Sequence, residues 1–535
     1  MSTSSLCPTL SSTTIYNDDD APLCSICSAL DIRAILHDGV PKEHSHPLGL
    51  LTDILSKQDQ CALCHLIAFI IRCTGYLDKK PRDNIAWITC GLYAEPSGSI
   101  NAYECKDLGI PDGVLPVQKD LCHWLHIDMF LPHLDIQLLE EDAFKVGRTK
   151  ELHGRRVTQT VDISLLKSWI HICENEHGEK CETMWWRNPG DILLKSIRII
   201  DVTRMAIIPA PRSCCYVALS YLWGGTGEEY RTTKANLKQR RKEGSLDMSM
   251  LPPTIRDTIQ VVRQLGKQYL WINALCIVQD DHKDKGKQIG AMERIYGFAV
   301  FTIFAAGSTS VHDPLPGVHL GTRDPKQQIA KVQGLHLTVL LVLLKEVVMS
   351  SAWYTCGWTY QELMLLHCRI FFTTHHMYFE CMKDVFSEDV VAEPIDFPWN
   401  SHPLGYKGMD KFMPLGRGWL QREIQNAVKA EWRLSWGAPA PRCMVMVEEY
   451  TQRRLTLESD IMDAIMVLLN AMTNGYQWGG GNPGKAFRFG MSIDDFECAL
   501  VWQPMTNAPH EWRVSTDGNR APWPSWLWAV WRGAV

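Results

Sequence analysis

The 535-residue sequence has no apolar run approaching the roughly 20 residues that a membrane-spanning helix needs. Its most continuous one, LTVLLVLL at 337–344, is closed by Lys345 and Glu346, so no membrane span is expected. An excess of either charge is also missing. A formal net charge of −6 and an isoelectric point near 6.3 offer no long-range attraction to phosphate backbones or anionic lipid, and no nucleic-acid partner is expected. The one basic cluster, LKQRRKEG at 237–244, reads as a solvated helix face stopped by Gly244. The N-terminal MSTSSLCPTLSSTTIYNDDD lacks both the basic and the apolar region of a secretory signal, so residues 1–20 read as a disordered tail. Cysteine, by contrast, is plentiful. Nineteen thiols without an export signal point to a reducing compartment and a cytoplasmic protein, where cysteines are core residues, metal ligands or reactive groups and seldom disulfides.

What is present is enough apolar residue, 46% of the chain, to bury several cores. The clearest periodic region starts at YVALSYLWGG, residues 216–225. Its first half is a buried strand. A polar connection follows, and then LPPTIRDTIQVVRQLG, where Ile255, Ile259, Val262 and Leu265 recur at helical spacing. Pro253 and Thr254 signal the start of this helix, Asp257 stands where a capping box would answer Thr254, and Gly266 marks its end. YLWINALCIVQ at 269–279 is a second strand entering a loop. Ile289, Met292, Tyr296 and Ala299 mark a second helix, with Asp280 and Asp281 at its head and Glu293 on its solvated face, and VFTIFAAG is a third strand. This alternation predicts an α/β domain with an open parallel sheet and flanking helices. In such sheets ligands gather beyond the carboxyl ends of the strands. Ser220, Tyr221, Trp223 and Gly224 follow the first strand, Asn273, Cys276 and Asp280 the second, and Gly307 and Ser308 the third. A further block, 351–381, holds a Trp-rich turn with Trp358, a short helix with Gln361 and Glu362, and two strand-like runs.

These blocks resemble the fungal heterokaryon-incompatibility (HET) domain in order and spacing. The matching segments are YVALSYLWGG, LPPTIRDTIQVVRQLGKQYLWINALCIVQDD, MERIYGFAVFTIFAAGSTS and GWTYQELMLLHCRIFFTTHHMYFEC. The resemblance divides the chain into a tail (1–20), a cysteine-containing N-terminal region (21–190), the HET domain (191–385) and a Trp/Pro-rich C-terminal region (386–535), both flanks being mixed α+β. It implies a signalling or effector module in non-self recognition and programmed cell death, with an incompatibility partner protein or self-association as its interaction. HET domains are also held to be remotely TIR-like, which implies an alternative, an NAD- or nucleotide-cleaving enzyme using Glu362. One departure bears on that alternative: Asn273 stands where the family pattern has an aspartate, which removes a carboxylate from the crevice.

Glu362 is the candidate catalytic residue, a general base or ribose-hydroxyl acceptor beside an aromatic wall, and the plainer alternative is a helix carboxylate paired with Arg369. The crevice set is Ser220, Tyr221, Trp223, Gly224, Asn273, Cys276, Asp280, Trp358 and Gln361; Trp223, Trp271 and Trp358 read as core and crevice wall rather than as substrate platforms. No Gly-x-Ser-x-Gly elbow surrounds Ser220, which argues against a hydrolase triad. Cys24-x-x-Cys27 and Cys61-x-x-Cys64 have the inner spacing of a zinc knuckle, although Cys61 and Cys64 would also suit a helical core. Structural zinc is the one cofactor this pattern offers. Cys173, His177 and Cys181 recur every four residues without an evident fourth ligand, and a packed helix accounts for them. GGGNPGKA at 479–486 approaches a phosphate-binding loop, but Ala486 replaces the metal-binding hydroxyl and a helix precedes it.

Overall fold

The computed structural model describes residues 21–73, 77, 85–96, 123–129, 135–148, 153–178, 181, 192–224, 228–339, 344–382, 385–391, 393, 442–476, 487–492, 496, 500, 502–503, 511–514 and 523–533. GGGNPGKA and the N-terminal tail lie outside them. In chain order the main strands are β1 (His46–Leu50), β2 (Thr89–Pro96), β3 (His123–Asp128), β4 (Asp135–Leu138), β5 (Arg198–Asp201), β6 (Ala206–Pro209) and β7 (Tyr216–Ser220). They continue with β8 (Tyr269–Trp271), β9 (Phe301–Phe304), β10 (Ile329–Val332), β11 (Leu335–Val339), β12 (Cys368–Phe372), β13 (Met377–Cys381) and β14 (Val385–Ser387). The chain forms two compact units, one from residues 1–158, 324–344 and 386–416 and one from the remainder.

The first unit is built on an antiparallel sheet of order β1-β2-β3-β4-β11-β10. The helix Ala62–Cys73 is apolar around most of its circumference and buries Leu63, Leu66, Ile67 and Ile71 in one cluster with Leu92, Leu125, Ile127 and Leu337. Each such side chain contributes about 1.5–3 kcal/mol of burial. The apolar run at 337–344 is divided, since strand β11 ends at Val339 and the helix Leu344–Ser350 begins at its last residue. Among the described residues no single helix is long and apolar enough to cross a membrane.

The second unit holds a sheet with strands in the order β13-β12-β9-β7-β8-β5-β6. Only its centre is parallel, β12-β9-β7-β8. The expectation of an open parallel sheet is corrected here to a mixed one. The flanks are antiparallel: β12–β13 and β5–β6 are hairpins whose turns are too short for a crossover, and β5 also runs antiparallel to its neighbour β8. From β7 the chain crosses to β8 on one side, and from β9 it crosses to β12 on the other. The carboxyl ends of β7 and β9, where Ser220 pairs with Phe304, are therefore the topological switch point of the sheet.

The expected helix is found at Pro253–Gln264 with Ile255, Ile259 and Val262 fully buried. Its capping box is not. Pro252 is the N-cap, and the Thr254 hydroxyl donates to the Asp313 carbonyl at 2.6 Å. The Asp257 carboxylate accepts the Leu315 N–H at 3.0 Å, so both side chains hold the 308–319 loop rather than each other. The second helix is two helices, His282–Ile289 and Met292–Gly297, separated at Gly290. Asp281 caps the first, accepting from Lys283 and Asp284, whereas Asp280 accepts the Lys234 N–H from another loop. Glu293 is buried beside Arg294, not solvated, because it faces inward at the start of the second short helix. The basic cluster forms the short helix Leu237–Arg240 with no buried residue, and Gly244 lies beyond it at φ +72°. Near the C-terminal end Trp528 is fully buried, its ring edge-on to Tyr450 at 6.2 Å, whereas Trp526 is exposed.

Candidate functional site

Glu362 lies on the helix Gly357–Met364, and the tertiary fold carries it to the switch point. The Ser220 hydroxyl donates to the Glu362 carboxylate, and the Trp353 indole N–H donates to the Ser220 oxygen at 3.0 Å. Tyr296 sits close enough to the carboxylate to stabilise its charge. All four side chains are buried, Glu362 at 3% exposure and Ser220 at 0%. Burial dominates the electrostatics: desolvation pushes the Glu362 carboxyl up to about 7, and the Ser220 hydrogen bond, together with the nearby Tyr296 hydroxyl, only partly offsets it. Tyr296 and Tyr221 are both pushed well above the usual phenol range, chiefly by burial, with the Glu362 charge adding to the effect in each. Aromatic faces close the surroundings, Trp271 edge-on to Tyr296 at 5.3 Å and Phe304 edge-on to Trp353 at 5.1 Å. This is a carboxyl poised to hold or release a proton near neutral pH in a dry environment.

The helix that carries Glu362 is itself clamped from the C-terminal region. Gly357 N–H donates to the Arg454 carbonyl at 2.8 Å and Arg454 N–H to the Thr355 carbonyl at 2.6 Å. A Cβ on Gly357 would come within 2.7 Å of Leu455, so glycine permits this approach. Tyr360 packs at 6.0 Å from Tyr450, and the Arg453 guanidinium lies 4.4 Å from the Tyr360 ring centre. The pairing of Glu362 with Arg369 does not occur. Arg369 turns instead to Glu380 and to the Leu363 and Leu366 carbonyls.

Of the other crevice residues, Trp223, Gly224 and Asn273 form a partly exposed lip at the strand ends. The Trp223 indole donates to Asn273 Oδ1 at 3.0 Å, and the Arg231 guanidinium lies 4.6 Å from the Trp223 ring centre. Asn273 Oδ1 also accepts the Ala274 N–H at 2.7 Å, so the amide oxygen performs the accepting role that a carboxylate would have there. Gly224 adopts φ +77° against Ser310. Tyr221 belongs with the buried layer. Cys276, Asp280, Trp358 and Gln361 are engaged elsewhere. Cys276 is fully buried, its thiol pushed up to about 12 by desolvation, and its sulfur accepts the Ile272 N–H. Asp280 holds the Lys234 loop, Trp358 donates to Asp460 at 3.3 Å, and Gln361 donates to the Met292 sulfur at 3.6 Å. Trp353 and Tyr296 carry no site signal in the sequence beyond the Trp-rich turn and a helical stripe.

In the first unit Cys24, Cys27, Cys61 and Cys64 converge, their sulfurs all within 4.8 Å of one another. Cys24–Cys64 is 4.0 Å and Cys27–Cys64 3.8 Å. Those separations are far from a disulfide and match the roughly 3.8 Å edge of a tetrahedron with metal–sulfur bonds of about 2.3 Å. The four thiols therefore fit a four-cysteine zinc site.

Comparison with known proteins bears on this second unit. Residues 216–362 match the family described as heterokaryon incompatibility protein (HET). Over 121 residues the chain is 28% identical to heterokaryon incompatibility protein 6, OR allele, of Neurospora crassa, a match that covers 19% of this chain and 17% of that protein. No solved structure matches the chain. The matched segment begins at the first residue of β7 and ends on Glu362, and so contains both halves of the Ser220–Glu362 pair. Residues 216–362 are thus the segment of the chain that is similar to the heterokaryon-incompatibility (HET) family.

Proposed function

We propose that the protein is a signalling or effector module of fungal incompatibility, coupling non-self recognition to cell death in the cytoplasm through an incompatibility partner or through self-association. The observation that carries this reading is the burial of Ser220 and Glu362 with their polar atoms bonded to each other and to Trp353. In that state Glu362 ties the helix Gly357–Met364 to the end of β7 and meets no substrate. Zinc at Cys24, Cys27, Cys61 and Cys64 is structural in this reading.

A second reading, a TIR-like enzyme that cleaves NAD or another nucleotide with Glu362, draws on one specific feature. The carboxyl titrates near 7 at the switch point of a sheet with a parallel centre, where a general base is expected to work. The lip of Trp223, Asn273 and Arg231 would then bind substrate and a movement would open the floor. Induced expression of wild type and Glu362→Gln at matched levels in a fungal cell, with viability and NAD content followed together, separates the two. Killing by both proteins with constant NAD supports the module. Loss of killing in the variant, with NAD falling only in wild type, establishes the enzyme.

A further inference from the structure

The stripe Cys173, His177 and Cys181 lacks a fourth ligand in its own segment, and the fold supplies one from far along the chain. The helix Ile163–Ile172, capped by Asp162, runs on into a π-helical turn at Cys173–His177. Such turns are rare and cluster at functional sites. Gly178 follows at φ +52°, a conformation that suits glycine, and the Cys181 N–H bonds back to its carbonyl at 2.9 Å. This reversal returns Cys181 to the helix end. Strand β13 then delivers Cys381 to the same point.

The four ligand atoms all lie within 4.8 Å of one another, and all four residues are buried. Cys381 Sγ is 3.4 Å and Cys181 Sγ 3.7 Å from His177 Nδ1. A tetrahedral metal with bonds of about 2.3 Å to sulfur and about 2.0 Å to nitrogen has sulfur–nitrogen edges of about 3.6 Å. The observed separations bracket that value. A buried imidazole nitrogen facing sulfurs would gain little from them as hydrogen-bond partners, because thiols are weak donors and acceptors. A fifth thiol, Cys368, is the cross-strand partner of Cys381 and lies 3.3 Å from the Cys173 sulfur. It stands outside the tetrahedron and is placed to donate to a Cys173 thiolate, an outer contact of the kind that supports metal ligands.

We propose that Cys173, His177, Cys181 and Cys381 bind a zinc ion as a closed site of three cysteines and one histidine that fastens the helix ending at His177 to the β12–β13 hairpin. The three thiols give up their protons to solvent on binding and the imidazole coordinates in its neutral form, so loading is favoured by rising pH. Three protein sulfurs and one nitrogen leave no open position for substrate, so the ion is structural. Its position is significant for the rest of the unit. Arg369, next to Cys368, caps the helix that carries Glu362.

The test is the zinc content of the full-length protein, measured in wild type, in Cys24→Ser/Cys61→Ser and in Cys381→Ser. The expected content is about two equivalents in wild type and about one in each variant. Cobalt exchanged into Cys24→Ser/Cys61→Ser should give the intense visible bands of a tetrahedral thiolate site. Wild type without zinc overturns the proposal, as does zinc that vanishes entirely with Cys24 and Cys61, or that is unchanged in Cys381→Ser. Should Cys381→Ser fail to fold, His177→Cys is the second variant; it keeps a four-ligand set and should retain the metal with a shifted cobalt spectrum. An unshifted spectrum, or a disulfide among Cys173, Cys181, Cys368 and Cys381 in unreduced peptide maps, also overturns it.

Discussion

Arg369 and Glu380 face each other across the β12–β13 hairpin, Nη1 to Oε2 at 3.4 Å, with each side chain only 1% exposed. The same guanidinium donates to the Leu363 and Leu366 carbonyls at 3.1 and 2.7 Å, satisfying the end of the helix Gly357–Met364. One buried cation thus joins the hairpin to the helix that carries Glu362. Arg369→Met should strand the Glu380 carboxylate and cost about 3–5 kcal/mol. Arg369→Met/Glu380→Leu should recover a substantial part of that loss, because no buried charge is left alone. Urea unfolding of the three proteins checks this, and a double variant no more stable than the single would contradict it.

Glu362 should make stability fall with rising pH. Its carboxyl titrates near 4.5 when free and near 7 when buried. Between those values the unfolded chain has lost the proton and the folded protein keeps it, so the folded state is penalised progressively up to about pH 7 and by a constant amount above. The window corresponds to about 3 kcal/mol. Glu362→Gln has no proton to lose. Its unfolding free energy relative to wild type should therefore rise by about 3 kcal/mol between about pH 4 and about pH 8. A difference that stays flat across the range would show that the carboxyl is not desolvated.

Asp257 should be a stability residue. Its side chain is fully buried, and its oxygens accept from the Leu315 N–H and meet His319 Nε2, each at 3.0 Å. Asp257→Ala leaves a buried N–H without an acceptor and should cost about 2–4 kcal/mol. Asp257→Asn keeps an acceptor for Leu315 and should cost about 1 kcal/mol. Melting temperatures that drop equally in both variants would refute this ranking.

The Cys24, Cys27, Cys61 and Cys64 cluster should hold about one zinc ion per chain, independent of Cys381. Stripping it with a strong chelator should lower the melting temperature, since a site that exists only in the folded state contributes its binding free energy to folding. Cys61→Ser with full zinc content, or a chelated protein with an unchanged melting curve, would exclude the site.

Much of the second unit is legible in the sequence because its signals are local. The helix Pro253–Gln264 follows from apolar residues three and four apart, strands β7 and β9 from continuous apolar runs, and the Asp281 cap from an aspartate directly before a helix. Each involves neighbours along the chain, whose geometry the backbone alone dictates. The sequence itself also holds the four HET-like blocks in order. Tertiary structure decided everything that depends on residues distant in the chain. Thr254 and Asp257 have capping-box spacing, yet their side chains bond to Asp313 and Leu315. Arg369 is the basic neighbour that proximity along the chain offers Glu362. Strand pairing sets it against Glu380, while Ser220, 142 positions away, takes Glu362. The sheet is parallel only at its centre, because the β12–β13 hairpin and the long-range antiparallel pairing of β5 with β8 flank it. Cys381 joins His177 across 204 positions. A thiol or carboxylate carries no mark of its distant partner in its own neighbourhood; only the packing of the sheet, which excludes water from these groups, determines which of them must satisfy each other.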